Sequence, residues 1–110
     1  MIKVEIYMTE GSHRGFMAEG HAGFAESGSD IVCSAASALM INSINSIEDF
    51  TNAGFTLESD QEKGGYLKFM LKGRKSREAE LILLVMEKGL LDLEKQYEEF
   101  IKVSKREVRK

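Results

Sequence analysis

Residues 2 to 8 alternate strictly, with Ile2, Val4, Ile6 and Met8 on one side and Lys3, Glu5 and Tyr7 on the other. A period of two sends successive side chains to opposite faces of a strand, so this segment predicts a half-buried first strand with Tyr7 on its polar side. Glu10-Gly11-Ser12-His13 has the composition of a turn, and Arg14 to His21 reads as a second strand. The two predict a hairpin with His21 at its end. Ala22 to Ser29, AGFAESGS, has little preference for regular structure and predicts a loop.

From Asp30, placed as an N-cap, the apolar positions change period. Val32, Ala36, Leu39, Met40, Ser43, Ile44, Ile47 and Phe50 follow helical spacing to about Asn52, with Gly54 as a stop signal. Phe55 to Asp60 and Gly65 to Lys72 alternate again and predict a second hairpin through Gln61-Glu62-Lys63-Gly64. Ser76 then caps a long helix carrying Ala79, Ile82, Leu83, Met86, Leu90, Leu93 and Tyr97, with Glu78 and Glu80 at the positive end of its dipole. Phe100-Ile101-Lys102-Val103 regains strand character. The order β-β-α-β-β-α-β implies an α+β fold: a mostly antiparallel sheet of four to five strands with two helices packed on one face.

Composition narrows the class without changing this picture. A chain of 110 residues, 43% hydrophobic and 30% charged, suits a single domain over residues 1–110, with disorder expected only from Lys105 to Lys110. Lys3 and Glu5 interrupt the N-terminus, which therefore lacks the apolar core of a secretory signal, and the expected location is cytoplasmic. The longest apolar run, Leu81 to Met86, falls well short of the roughly 20 residues of a bilayer span, so no membrane role is expected. The net charge of −3 argues against direct nucleic-acid binding and suits a basic polypeptide partner.

The chemistry lies in Gly20 to Leu39. Cys33 is the only cysteine, which excludes an internal disulfide and leaves either a small buried hydrophobe or a reactive thiol. With Asp30 as cap, Cys33 would be the third helical residue, where the macrodipole and free amides favour a thiolate. The amides of Ile31 to Ser34 could then serve an oxyanion. Each candidate also has a plainer reading: a packed Cys33, a hydrogen-bonded strand-end His21, a merely capping Asp30, a Ser37 bonded to the carbonyl four residues earlier. His13, in a polar turn, is expected to be solvated. From the residues alone, the plainer readings are the commoner ones.

Gly20-His21-Ala22 followed by Asp30-Ile31-Val32-Cys33 and Ser37-Ala38-Leu39 resembles the ribosomal-processing cysteine protease family, Prp, of Firmicutes and related bacteria. The likeness covers nearly the whole chain; one departure is Ser34, where alanine is common. It implies a cysteine endopeptidase that removes an N-terminal extension from large-subunit ribosomal protein twenty-seven, uses no metal or cofactor and forms homodimers. It carries catalysis over to His21 and Cys33, with Asp30, Ser37 and Gly20 in support. Gly23 and Gly28 would let the intervening loop gate the substrate. Two other classes remain: a non-catalytic ribosome-associated adaptor that binds a basic ribosomal protein, and a hydrolase using Ser37 or Ser34.

Overall fold

The structure is a computed structural model that describes residues 1–20, 27–60 and 65–109, and the side chains of all of these except 27–30. The elements are β1 (Ile2–Thr9), β2 (Ser12–Glu19), α1 (Ser27–Phe50), β3 (Gly54–Asp60), β4 (Tyr66–Lys72), α2 (Arg77–Gln96) and β5 (Ile101–Glu107). The expected α+β order is therefore present, with five strands in the order β3-β4-β2-β1-β5. Every neighbouring pair is antiparallel except β1 and β5, which run parallel and make the sheet mixed. A parallel neighbour needs a crossover, and here the chain between β1 and β5 includes both helices.

One face of the sheet carries the core. Ile2, Val4 and Ile6 of β1, Phe16 and Ala18 of β2, Phe69 and Leu71 of β4 and Ile101 of β5 are all buried. Both helices cover this face in one cluster, α1 through Val32, Ala36, Met40, Ile44 and Ile47, and α2 through Ala79, Leu83, Met86 and Leu90. Where the helices meet, a Cβ on Gly89 would stand 3.1 Å from the Leu39 side chain, so glycine permits their close approach. By length and composition α1 could cross a membrane from Ile31 to Phe50, but its apolar stripe is packed against this sheet.

Several boundaries differ from the pattern reading. The β1–β2 turn is tighter than expected, because Glu10 (φ 49°) and Gly11 (φ 83°) both adopt the left-handed conformation that matches the twist of a two-residue hairpin. β2 accordingly begins at Ser12 and ends at Glu19, short of His21. Lys105 to Glu107, expected to be disordered, belong to β5, and Val108 N–H donates to the Met8 carbonyl at 2.8 Å. Pairing with β1 supplies the order that local composition does not. Ser76 caps α2 as expected, its hydroxyl accepting from Ala79 N–H at 3.2 Å.

Two polar assignments are corrected. His13 is buried rather than solvated, with Nε2 2.7 Å from Oε1 of Glu87, itself 3% exposed. Lys105 Nζ lies 3.4 Å from the other Glu87 oxygen. A register shift between Tyr7 and Met8 pairs Met8 with His13, which joins Thr9 and His13 to the buried residues at this end of the hairpin. Tyr7, assigned to the polar face, is also buried, and Lys68 Nζ lies 5.8 Å from its ring centre.

Adjacent leucines on α2 test this packing. Leu83→Ala should lower stability by about 2–5 kcal/mol, whereas Leu84→Ala, at an exposed position, should change it by less than about 0.5 kcal/mol; urea denaturation measures both. Burial, and then the Glu5 carboxylate, push the Tyr7 phenol above its ordinary value of 10.0. Folding thus favours the neutral phenol, and that contribution is complete below about pH 10 and lost as the pH rises further. Tyr7→Phe should flatten the alkaline fall in urea midpoint between about pH 9 and 11.

Candidate active site

A cleft of about 440 Å³ opens where the start of β4, the end of β2 and the first half of α1 converge. Cys33, Ser37 and Ile41 line it from α1, each four residues from the next and so stacked along one side of the helix. Each also follows a buried core position, Val32, Ala36 or Met40. The helix is rotated so that the core row is buried, with Ala36 and Met40 also reaching the cleft, and the next row borders the cleft. Cys33 is a free thiol, partly buried and packed against the core. Ile2, Ala18 and Leu67 make the opposite wall apolar, while Glu19, Ser59 and Tyr66 make it polar.

Gly20 closes one end of this cleft. Its φ of +100° is a conformation that side-chain-bearing residues rarely adopt, and a Cβ there would lie 2.4 Å from the Met1 carbonyl oxygen. Its N–H donates to the Gly65 carbonyl at 3.1 Å, tying the end of β2 to the start of β4. His21 is the next residue along the chain; it lies outside the described residues, as does Gly23. Sequence and structure together thus place Gly20, Cys33 and Ser37 on one cleft, with His21 covalently attached to its rim.

The helix start corrects one part of the sequence reading. α1 begins at Ser27, taking in Ser27, Gly28 and Ser29 of the expected loop and leaving only residues 22–26 between His21 and the helix. Asp30 occupies the fourth helical position rather than the cap, and Cys33 the seventh rather than the third. The macrodipole acts within the first turn, so it does not activate a thiol at that depth. The amides of Ile31 to Ser34 lie within the helix and bond to carbonyls one turn back, so they are not free for an oxyanion.

Ser37 also departs from its plainer reading. Ser43 and Thr51 donate to the carbonyls of Leu39 and Ile47, each at 2.7 Å, but among the described residues Ser37 makes no such bond to Cys33 and its side chain borders the cleft. Sequence patterning did not find Glu19, Ser59 or Tyr66, which reach the cleft only because β2, β4 and β3 pair side by side. The same three residues line an adjoining depression together with Glu58 and Asp60, so the rim of the cleft is acidic. Among the described residues, no three metal-ligating side chains converge.

Known proteins share this fold. Residues 1–102 match the family model described as cysteine protease Prp. A ribosomal processing cysteine protease Prp of Staphylococcus aureus is 34% identical over 105 residues, covering 94% of this chain and 98% of that protein. Among solved structures, SMU.848 of Streptococcus mutans superposes with a TM-score of 0.90 at 28% identity, covering 98% of this chain and 96% of the other. The S. aureus Prp in complex with a covalently linked product peptide superposes with a TM-score of 0.87 at 33% identity, covering 96% of this chain and 100% of that one.

Gly20→Ala tests the clasp at the rim. It should destabilise the fold by about 1–3 kcal/mol in urea denaturation, through backbone strain and the Met1 contact. Gly11→Ala, with a similar φ but open space around it, should be milder.

Proposed function

Because the chain belongs to the cysteine protease Prp family, a family of ribosomal processing proteases, we propose that it cleaves the N-terminal extension of large-subunit ribosomal protein twenty-seven, with Cys33 as nucleophile and His21 as base. The observation that carries this reading is the placement of the single cysteine in an apolar cleft whose rim runs directly into His21. Support comes also from the S. aureus relative, whose structure holds a covalently linked product peptide.

In this mechanism His21 takes the Cys33 thiol proton, and Sγ attacks the scissile carbonyl carbon. As the tetrahedral intermediate collapses, the C–N bond breaks and the imidazolium returns the proton to the leaving amine. Water, deprotonated by His21, then hydrolyses the thioester and restores the thiol. With Cys33 outside the first helical turn, its activation rests on the base. Asp30 orients His21, and Ser37 holds the peptide or the attacking water one turn along from Cys33. Gly23, and Gly28 in the first turn of α1, let the chain between base and nucleophile close over the substrate.

The substrate lies in the cleft as an extended segment whose apolar side chains face Ile41, Leu67 and Ala18. The acidic rim of Glu19 and Glu58 draws in the basic body of a ribosomal protein. The enzyme works in the cytoplasm as a homodimer, and residues 1–110 fold as a single domain.

Incubation with a peptide spanning the processing junction tests this. Wild type should cleave it, Cys33→Ala should give no cleavage, and His21→Ala should be slowed about 10²–10⁴-fold. Raising salt should slow wild type. Tight peptide binding without cleavage would establish the adaptor reading instead, and full activity in Cys33→Ala would point to a serine hydrolase.

A further inference from the structure

The end of the molecule remote from Cys33 carries a second groove with different chemistry. It has a volume of about 560 Å³ and lies between the C-terminal end of α1 and the loop from β4 to α2. Phe50, Lys72, Arg74 and Lys75 all line it. Phe50 is 79% exposed, the most exposed of the large hydrophobic side chains among the described residues, and the core makes no use of it. At 1.5 Å per helical residue it stands ~25 Å along α1 from Cys33.

The cations are concentrated well beyond the chain's average charge. Lys72, Arg74 and Lys75 also line an adjoining groove with Arg14, whose guanidinium donates to the Leu71 carbonyl at 2.9 Å. Arg77 is exposed in the first turn of α2, where the macrodipole disfavours a cation. Among the described residues none of these five cations forms an ion pair with a carboxylate. Glu78 is the one carboxylate lining the groove; Glu48 and Asp49 precede Phe50 on α1 but lie outside it. The net charge of −3 therefore averages an acidic cleft rim with a strongly basic opposite end.

We propose that the groove formed by Phe50, Lys72, Arg74 and Lys75 binds single-stranded RNA, the cations holding the phosphate backbone and Phe50 stacking on a base. Unpaired cations alone would suit any polyanion. A fully presented aromatic ring among them selects an unpaired base, since stacking on an aromatic side chain together with a cationic track is how single strands are held without sequence preference. A duplex hides its base faces. The preference for RNA over DNA rests on the ribosomal reading above, since the substrate is assembled onto RNA; the groove itself does not depend on that reading. Bound there, RNA would leave the cleft at the other end open to the peptide.

Fluorescence anisotropy with a labelled oligouridylate of about ten nucleotides, a length within the span one such site covers, tests this. Wild type should bind with a log–log salt slope of about −2 to −3, as three to four phosphate contacts require. The double variant R74S/K75S should weaken binding at least about tenfold and make the slope shallower by about 1.4. Phe50→Leu, which keeps an apolar side chain but removes the ring, should weaken it about fivefold or more with the slope unchanged. Both variants should retain the wild-type urea midpoint and peptide cleavage rate, which separates this test from that of the protease assignment. The proposal is overturned if wild type shows no saturable binding, if neither variant weakens it, if duplex RNA or single-stranded DNA of equal length binds as tightly, or if phosphatidylglycerol vesicles capture the protein and the oligonucleotide does not.

Discussion

The apolar seam between α1 and the sheet fixes where everything else on this molecule can be. Val32, Ala36, Met40, Ile44 and Ile47 recur at a spacing that keeps them on one side of the helix, and all are buried in the core that α1 shares with the sheet and α2. Rotating α1 to bury that row leaves no choice for the neighbouring row: Cys33, Ser37 and Ile41 must face the end of the sheet where the cleft opens. The position of Cys33 is thus a by-product of core packing. A residue inserted between Cys33 and Ala36 would turn the start of the helix by roughly 100° relative to the packed row and carry the thiol out of the cleft.

A second constraint acts at the strand ends. Gly20 passes so close to the Met1 carbonyl that a side chain does not fit, and its N–H is held by Gly65 across the β2–β4 pair. Those contacts determine the point from which the chain leaves the sheet toward His21. Cys33 is therefore carried by a helix, while the chain leaves for His21 from a strand end, with residues 22–26 as the covalent connection between His21 and α1.

Charge is distributed with the same economy. Glu19 and Glu58 lie at the end of the sheet that holds the cleft, and Lys72, Arg74 and Lys75 lie beyond the other end of β4. Elsewhere a nearly inaccessible Glu87 carboxylate on α2 meets the buried His13 of β2 and the exposed Lys105 of β5. Burying a charge is tolerated only where partners replace water. These three residues are 18 to 92 positions apart along the chain, and nothing in their local context announces the cluster.

The sequence by itself determined the element order, both helices, the second hairpin and the pair of residue types from which the catalytic reading begins, because periods of two and 3.6 are local properties that survive in any packed arrangement. It also contained the family likeness, carried by short motifs around His21 and Cys33. Tertiary structure alone decided the parallel pairing that orders Lys105 to Glu107, the burial of His13, the pocket walls at Glu19, Ser59 and Tyr66, and the start of α1 at Ser27. Each depends on which strands lie side by side or on how far a helix extends before packing stops rewarding it. An isolated stretch of sequence cannot encode that, because the free energy deciding it comes from residues far away along the chain.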